Sequence, residues 1–365
     1  MRIGIIGAGI AGLSSAWALC KEGHSVTVFE QNEIPNPYAA SGDEHRLIRR
    51  GYGRQQGYAR RIGEAFDAWD QMFDDLGVRH YAETGILAVC QFSGDEGDEY
   101  CKGYEEAGIA HQKLSPAETE ARYPFLDGRT MSYASLAPEG GVLFSKRIAD
   151  DLLRWLSVHG VDLRPMSKVH ALDVATGKVL LEAEQLTFDR LVVTAGAWVT
   201  ELLPDLSSLL TPYRTCVVYL TPPAEFKAAW ALAPGFISVG GTKVDGYILP
   251  PVQGTGLKFG GGINKVKAAP DLYRDVCEGE GERLRNHFSP PFHMIDRYDV
   301  DHARSCVYTF TSDEHFFAQN RGRALIVSAC SGHGYKFGAA LGRRLARALA
   351  LGDEAGFIHW LEARD

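Results

Sequence analysis

Apolar and polar positions alternate in two different rhythms along this chain. Residues 2–6 (Arg-Ile-Gly-Ile-Ile) form a nearly unbroken apolar run of strand length. Residues 13–20 then read as a helix ending near Gly23, and residues 25–29 as a second strand closed by Glu30. A longer helix is predicted from about Gly57 to Leu76, because Ile62, Ala65, Phe66, Trp69, Phe73 and Leu76 recur at three- and four-residue spacing and mark one buried face. A strand-like run at 85–89 opens a different region, with turn signals at Pro124, Pro138 and Gly140-Gly141. Residues 148–159 are a second amphipathic helix, followed by short extended segments at 161–163 and 168–170. Residues 189–194 form a buried strand running into Ala195-Gly196-Ala197-Trp198. From about Tyr213 strands dominate, at 216–220, 247–249 and 257–259. A last buried strand at 324–329 precedes Ser331-Gly332-His333-Gly334 and a closing helix through Ala350.

The opening segment carries chemistry. Gly7-Ala8-Gly9-Ile10-Ala11-Gly12 sits between the first strand and the first helix, and Glu30 ends the second strand. Gly7 allows a tight turn, Gly9 lets the backbone approach a pyrophosphate, and Gly12 lets the helix pack closely on the strand. The helix N-terminus presents N–H groups and a positive dipole end to phosphates. A carboxylate at Glu30 can accept both ribose hydroxyls and disfavours a 2′-phosphate, which leaves FAD or NAD. The pattern breaks after Glu30, where a polar stretch at 35–42 leads to Arg46 and Arg49, whereas an NAD domain would go on alternating strands and helices. The expected fold class is therefore α/β. A Rossmann-like dinucleotide-binding domain (1–80, 142–212 and 322–365) is interleaved with a mixed-sheet substrate domain (81–141 and 213–321).

Composition narrows the partners. The 365 residues are 45% hydrophobic and 23% charged, enough to bury a large core across roughly two domains. Thirty-eight Lys and Arg against 46 Asp and Glu give a net charge of −8, so nucleic acid and anionic membranes are not expected partners. No apolar run approaches the roughly 20 residues that span a bilayer, and no signal peptide is expected at the N-terminus. Seven cysteines without a Cys-x-x-Cys pair point to reduced thiols in a cytoplasmic protein rather than to disulfides or a zinc ribbon. Asp313-Glu314-His315 is read as a loop, and no metal site is expected.

The glycine motif with Glu30, Thr194-Ala195-Gly196-Ala197-Trp198, Cys306-Val307-Tyr308-Thr309 and Ser331-Gly332-His333-Gly334-Tyr335-Lys336-Phe337 together resemble the D-amino-acid oxidase superfamily. Within it they resemble the monomeric sarcosine oxidase branch, which includes N-methyltryptophan, pipecolate and fructosyl-amino-acid oxidases. The resemblance runs over nearly the whole chain in order. It implies FAD, a monomer, and oxidation of a secondary amino acid to an imine with O2 reduced to hydrogen peroxide. It also implies a thioether between Cys306 and the flavin. Arg49 and Lys336 match the residues that hold the substrate carboxylate. Lys258 matches a lysine that promotes reaction with O2, and Arg46 an arginine beside the flavin ring. Tyr247 and Tyr308 match aromatic residues lining the substrate cavity. Ser41, Val169, Ala195, Gly196, Trp198, Gly332, Gly334 and Lys336 fall on cofactor-contacting positions.

Taken without the resemblance, Cys306 reads first as a small buried hydrophobe, Arg49 as a member of a solvated cluster with Arg46, Arg50 and Arg54, and Lys258 as a strand lysine. Two positions depart from the branch. Gly262 stands where a histidine follows the oxygen-activating lysine by four residues, and Gly42 replaces a histidine four residues before Arg46. Both remove polar bulk from the expected pocket and permit an amine other than sarcosine.

Overall fold

The N-terminal apolar run becomes strand β1 (Arg2–Ile6), which lies between β2 (Ser25–Phe29) and Arg190–Val193 in a six-stranded sheet. The other strands are Asp162–Arg164 at one edge, and Ala324–Ser328 followed by Phe317–Arg321 at the other. All pairs are parallel except the last. A parallel sheet covered on both faces needs continuous apolar strands, and Ile3, Ile5, Val192 and Ile326 are fully buried. This computed structural model describes residues 1–240, 245–272, 275–328 and 330–365.

Helix α1 (Ile10–Lys21) connects β1 to β2 and packs against Gly338–Leu351. β3 (Arg46–Arg49) pairs antiparallel with Gly140–Leu143. α2 (Gln56–Leu76) buries Ile62, Ala65, Trp69 and Phe73, as its spacing predicts, and ends at Gly77, whose φ of +72° is the left-handed stop. Its Trp69 indole donates to the Lys336 carbonyl at 2.8 Å and stacks on Tyr335, so this helix fixes the short turn that carries Lys336.

The second large sheet is mixed and has nine strands. Thr211–Thr221 pairs along its length with Asp299–Phe310, and further strands include Leu257–Gly260, Gly246–Leu249, Gly235–Val239 and Ile86–Cys90. Beneath it lies an aromatic core in which Phe125 stacks on Trp230 at 3.8 Å, with Phe236, Phe259 and Phe292 around them.

The structure corrects one extended segment. Residues 168–170 are a loop, and the strands on either side are Asp162–Arg164 and Ala171–Asp173. The preceding backbone turns away from the sheet, with Met166 N–H donating to the Asn32 carbonyl and Ser167 N–H to that of Glu30. The predicted strand end at Ala329 lies outside the described residues. All seven cysteines are free thiols. Among the described residues no helix is long and apolar enough to cross a membrane.

Candidate active site

The glycine turn lines a cavity of about 370 Å³ that also includes Glu30, Ser41, Val169, Ala195, Gly196 and Trp198. Gly7 has φ +102°, and a Cβ there would stand 2.5 Å from the Thr194 carbonyl oxygen. A Cβ on Gly12 would lie 1.9 Å from the Gly7 oxygen, so this glycine serves helix packing and does not line the cavity. No side chain of the N-cap residue closes the N-terminus of α1; Ser41 Oγ accepts one N–H, from Ile10, at 3.1 Å. Glu30 is 6% exposed and accepts from Ala8 N–H and the Asn36 amide at 3.0 Å each. Asn32 N–H also donates to it, at 3.2 Å, on the same oxygen as Asn36; those bonds aim the carboxylate, and the oxygen facing Ala8 keeps a lone pair for a ribose hydroxyl. A bare helix N-terminus, a glycine cradle and a positioned acid fit a dinucleotide of the FAD type.

A second cavity, about 320 Å³, shares the walls Tyr308, Cys330, Gly334 and Tyr335 with the first. It collects Arg46, Arg49, Tyr247, Lys258, Cys306, Gly332 and Lys336. Residues from five separated chain segments therefore converge at one place.

Arg49 and Lys336 form one end. Arg49 donates to Tyr100 Oη at 2.5 Å and to the Gly51 carbonyl, and its guanidinium lies 4.7 Å from the Tyr52 ring and 4.6 Å from the Tyr100 ring. Lys336 is 6% exposed, and its ammonium donates to the His333 carbonyl at 3.1 Å. Burial first, and Arg49 second, hold its pKa well below that of a free lysine. Among the described residues no carboxylate lies within ion-pair distance of either cation. A partly buried guanidinium and a buried lysine amine without a protein counter-ion form a receptor for an anion, whose charge favours the protonated amine.

At Lys258 the balance differs. Its side chain is 1% exposed, and its ammonium pairs with Asp43 and donates to the His45 carbonyl at 3.1 Å. The Asp43 carboxylate also accepts from Tyr219 Oη at 2.6 Å and Arg46 at 3.1 Å. Burial would raise the Asp43 carboxyl, but Lys258 and then Arg46 hold it far below the usual range. Lys258 is pushed down to about 8, by burial and then by Arg46, while Asp43 pulls it up. Arg46 also donates to the Ala40, Gly42 and His45 carbonyls, so it braces the loop that carries Asp43. Burial pushes the Cys306 thiol up, with Arg46 and Lys258 pulling it back.

Every cofactor- and substrate-contacting residue expected from sequence, Gly12 excepted, lines one or both cavities. Arg50 and Arg54 are the solvated members of the basic cluster, paired with Glu139 and Glu99, while Arg46 and Arg49 turn inward. Sequence reasoning missed Asp43, Tyr219, Asp245 and His287. It also missed the partly exposed trio Glu120, Asp127 and His293, whose ligand atoms lie within 4.8 Å of one another. Asp313–His315 form a turn, as expected.

Comparison with known proteins agrees with this geometry. The family model described as FAD dependent oxidoreductase (DAO) matches residues 2–348. The chain belongs to that family. This flavoenzyme is sarcosine oxidase-like: it is 24% identical over 357 residues to monomeric sarcosine oxidase of Bacillus sp. (strain B-0618), covering 94% of this chain and 90% of that one. It is 25% identical over 362 residues to human peroxisomal sarcosine oxidase (93% and 90%), and 23% over 350 residues to N-methyl-L-tryptophan oxidase of Yersinia pestis (93% and 92%). Its fold is also that of L-proline dehydrogenase from P. horikoshii, with a TM-score of 0.82, 18% identity, and coverage of 99% and 96%.

Proposed function

We propose that this flavoenzyme oxidises the C–N bond of a secondary amino acid, N-alkylated or cyclic, to an imine, with O2 as electron acceptor and hydrogen peroxide as the reduced product. The observation that carries the reading is the pair Arg49 and Lys336, the first partly buried and the second buried, with no acidic partner among the described residues, in the cavity that also holds Lys258 and Cys306. The planar guanidinium of Arg49 offers two parallel N–H bonds to a carboxylate, and Lys336 adds a point charge. Together they orient the substrate by its acid group and convert an encounter into a fixed geometry.

Bound FAD supplies the two-electron acceptor that takes a hydride equivalent from the substrate carbon and returns electrons to O2. The glycine turn and Glu30 would hold its dinucleotide end, and Cys306 would tether it through a thioether, the two electrons released on forming that bond passing through the flavin to O2. Tyr247 and Tyr308 wall the cavity and exclude water from the reacting carbon. Lys258 holds positive charge where O2 gains an electron, and Asp43 keeps that lysine in place.

An oxygen electrode with a coupled peroxide assay, run over N-methyl and cyclic amino acids, tests the whole reading. One H2O2 per O2 consumed is expected with at least one of them. Flavin reduction without oxygen uptake would replace O2 by another acceptor, and silence across the panel would overturn the proposal.

A further inference from the structure

The ladder between Gly246–Leu249 and Leu257–Gly260 sets Tyr247 opposite Gly260, and just beyond its end Gly262 lies against Asp245. Directly opposed residues of an antiparallel pair point to the same face, and Asp245, Tyr247, Lys258 and Gly262 all line the second cavity. The glycines make the space. A Cβ at Gly260 would stand 2.7 Å from the Tyr247 hydroxyl, and one at Gly262 would stand 2.3 Å from Asp245 Oδ2. Gly262 N–H instead donates to that oxygen at 3.1 Å, while His287 Nε2 lies 3.5 Å from Oδ1. The Asp245 side chain remains about one-third exposed, so its carboxylate is held in position yet still open to the cavity.

The neighbouring His287, and then the Gly262 N–H, hold this carboxyl below the usual range. The cavity's other free acid, Glu96, is pushed up by burial and by Asp245, with Arg49 pulling it down. One cavity therefore presents Arg49 and Lys336, without an acidic partner among the described residues, together with a carboxylate on a different element.

We propose that Asp245 is the counter-charge for the ammonium of a zwitterionic amino-acid substrate, so that the cavity selects an ammonium carboxylate over a neutral acid of the same shape. The inference rests on the reading of Arg49 and Lys336 as the carboxylate clamp and goes beyond it by assigning the other pole. It makes 2-hydroxy acids poor ligands, because they leave Asp245 without a partner.

Trimethylglycine and 3,3-dimethylbutanoate share shape and carboxylate and differ in charge at one atom. Titration of the holoenzyme with each, followed by flavin absorbance and calorimetry, gives two Kd values. The wild type is expected to favour trimethylglycine by about tenfold or more, the size of a close charge contact. Asp245→Asn is expected to bring the ratio to about one while the Kd of 3,3-dimethylbutanoate changes by less than about threefold. Gly262→Ala, whose methyl would strike Oδ2, should do the same, and it serves if the first variant does not fold. A ratio near one in the wild type, or a ratio unchanged in both variants, overturns this inference alone. A wild type that binds neither acid overturns the carboxylate clamp as well.

Discussion

Asp43 and Lys258 lie 215 positions apart in sequence and meet as a buried ion pair. Asp43 adopts φ +90°, an uncommon conformation for a side-chain-bearing residue, and the loop is held there by Arg46 and Tyr219. Removing one partner of such a pair leaves an uncompensated buried charge, which costs about 3–5 kcal/mol. Asp43→Asn should therefore lower unfolding stability in denaturant by about 3 kcal/mol, and it should push Lys258 further below its value of about 8.

Reoxidation should depend on pH through Lys258. Burial has lowered its pKa to about 8, so the ammonium is present below that pH and is lost as pH rises through it. The rate at which O2 reoxidises the reduced enzyme should be level below neutrality and fall in the alkaline range. A unit charge at 4 Å with an effective dielectric of 20 is worth about 4 kcal/mol, or about three decades of rate, and Asp43 offsets part of this. Lys258→Met should slow reoxidation by about two to three decades and remove the alkaline fall, in stopped-flow mixing with O2.

The proposed thioether puts the flavin on the Cys306 thiol. Acid precipitation of the wild type should leave the yellow colour in the pellet, and digestion should yield a Cys306 peptide carrying the flavin mass. Cys306→Ser should release all of its flavin to the supernatant while keeping its fold by circular dichroism. Release from the wild type would refute the tether.

Gly12 leaves no room for a side chain. A methyl group there would overlap the Gly7 carbonyl oxygen, a backbone-fixed part of the turn, and press on the Thr194 hydroxyl. Gly12→Ala should move α1 away from β1, with a loss of FAD binding of at least tenfold by fluorescence titration or a failure to accumulate folded protein. An Ala variant with normal flavin content would remove the close-packing role.

What was legible in the sequence was local. The run Gly7 to Gly12 and the acid at Glu30 act within one strand–helix–strand unit, so their spacing is their geometry. The buried face of α2 followed in the same way from Ile62, Ala65 and Trp69. Lys336 and Arg49 were matched by motif, but their lack of acidic partners is a property of the folded cavity alone. Asp43 with Lys258, and Asp245 with His287, depend on contacts between distant segments, and neither acid stands in a pattern that marks it. Gly260, opposite Tyr247, and Gly262, against Asp245 beyond the strand end, become readable as space-makers only when the pairing of the two strands is known.

The carboxylate clamp is tested most directly by anaerobic stopped-flow reduction of the flavin by a reactive secondary amino acid, in the wild type and in the variants Arg49→Lys and Lys336→Met. Loss of a desolvated charge contact is worth about 2–5 kcal/mol, so each variant should lose about thirtyfold or more in the second-order rate of bleaching, chiefly through weaker binding. Bleaching at the wild-type rate and concentration dependence in both variants would contradict the account.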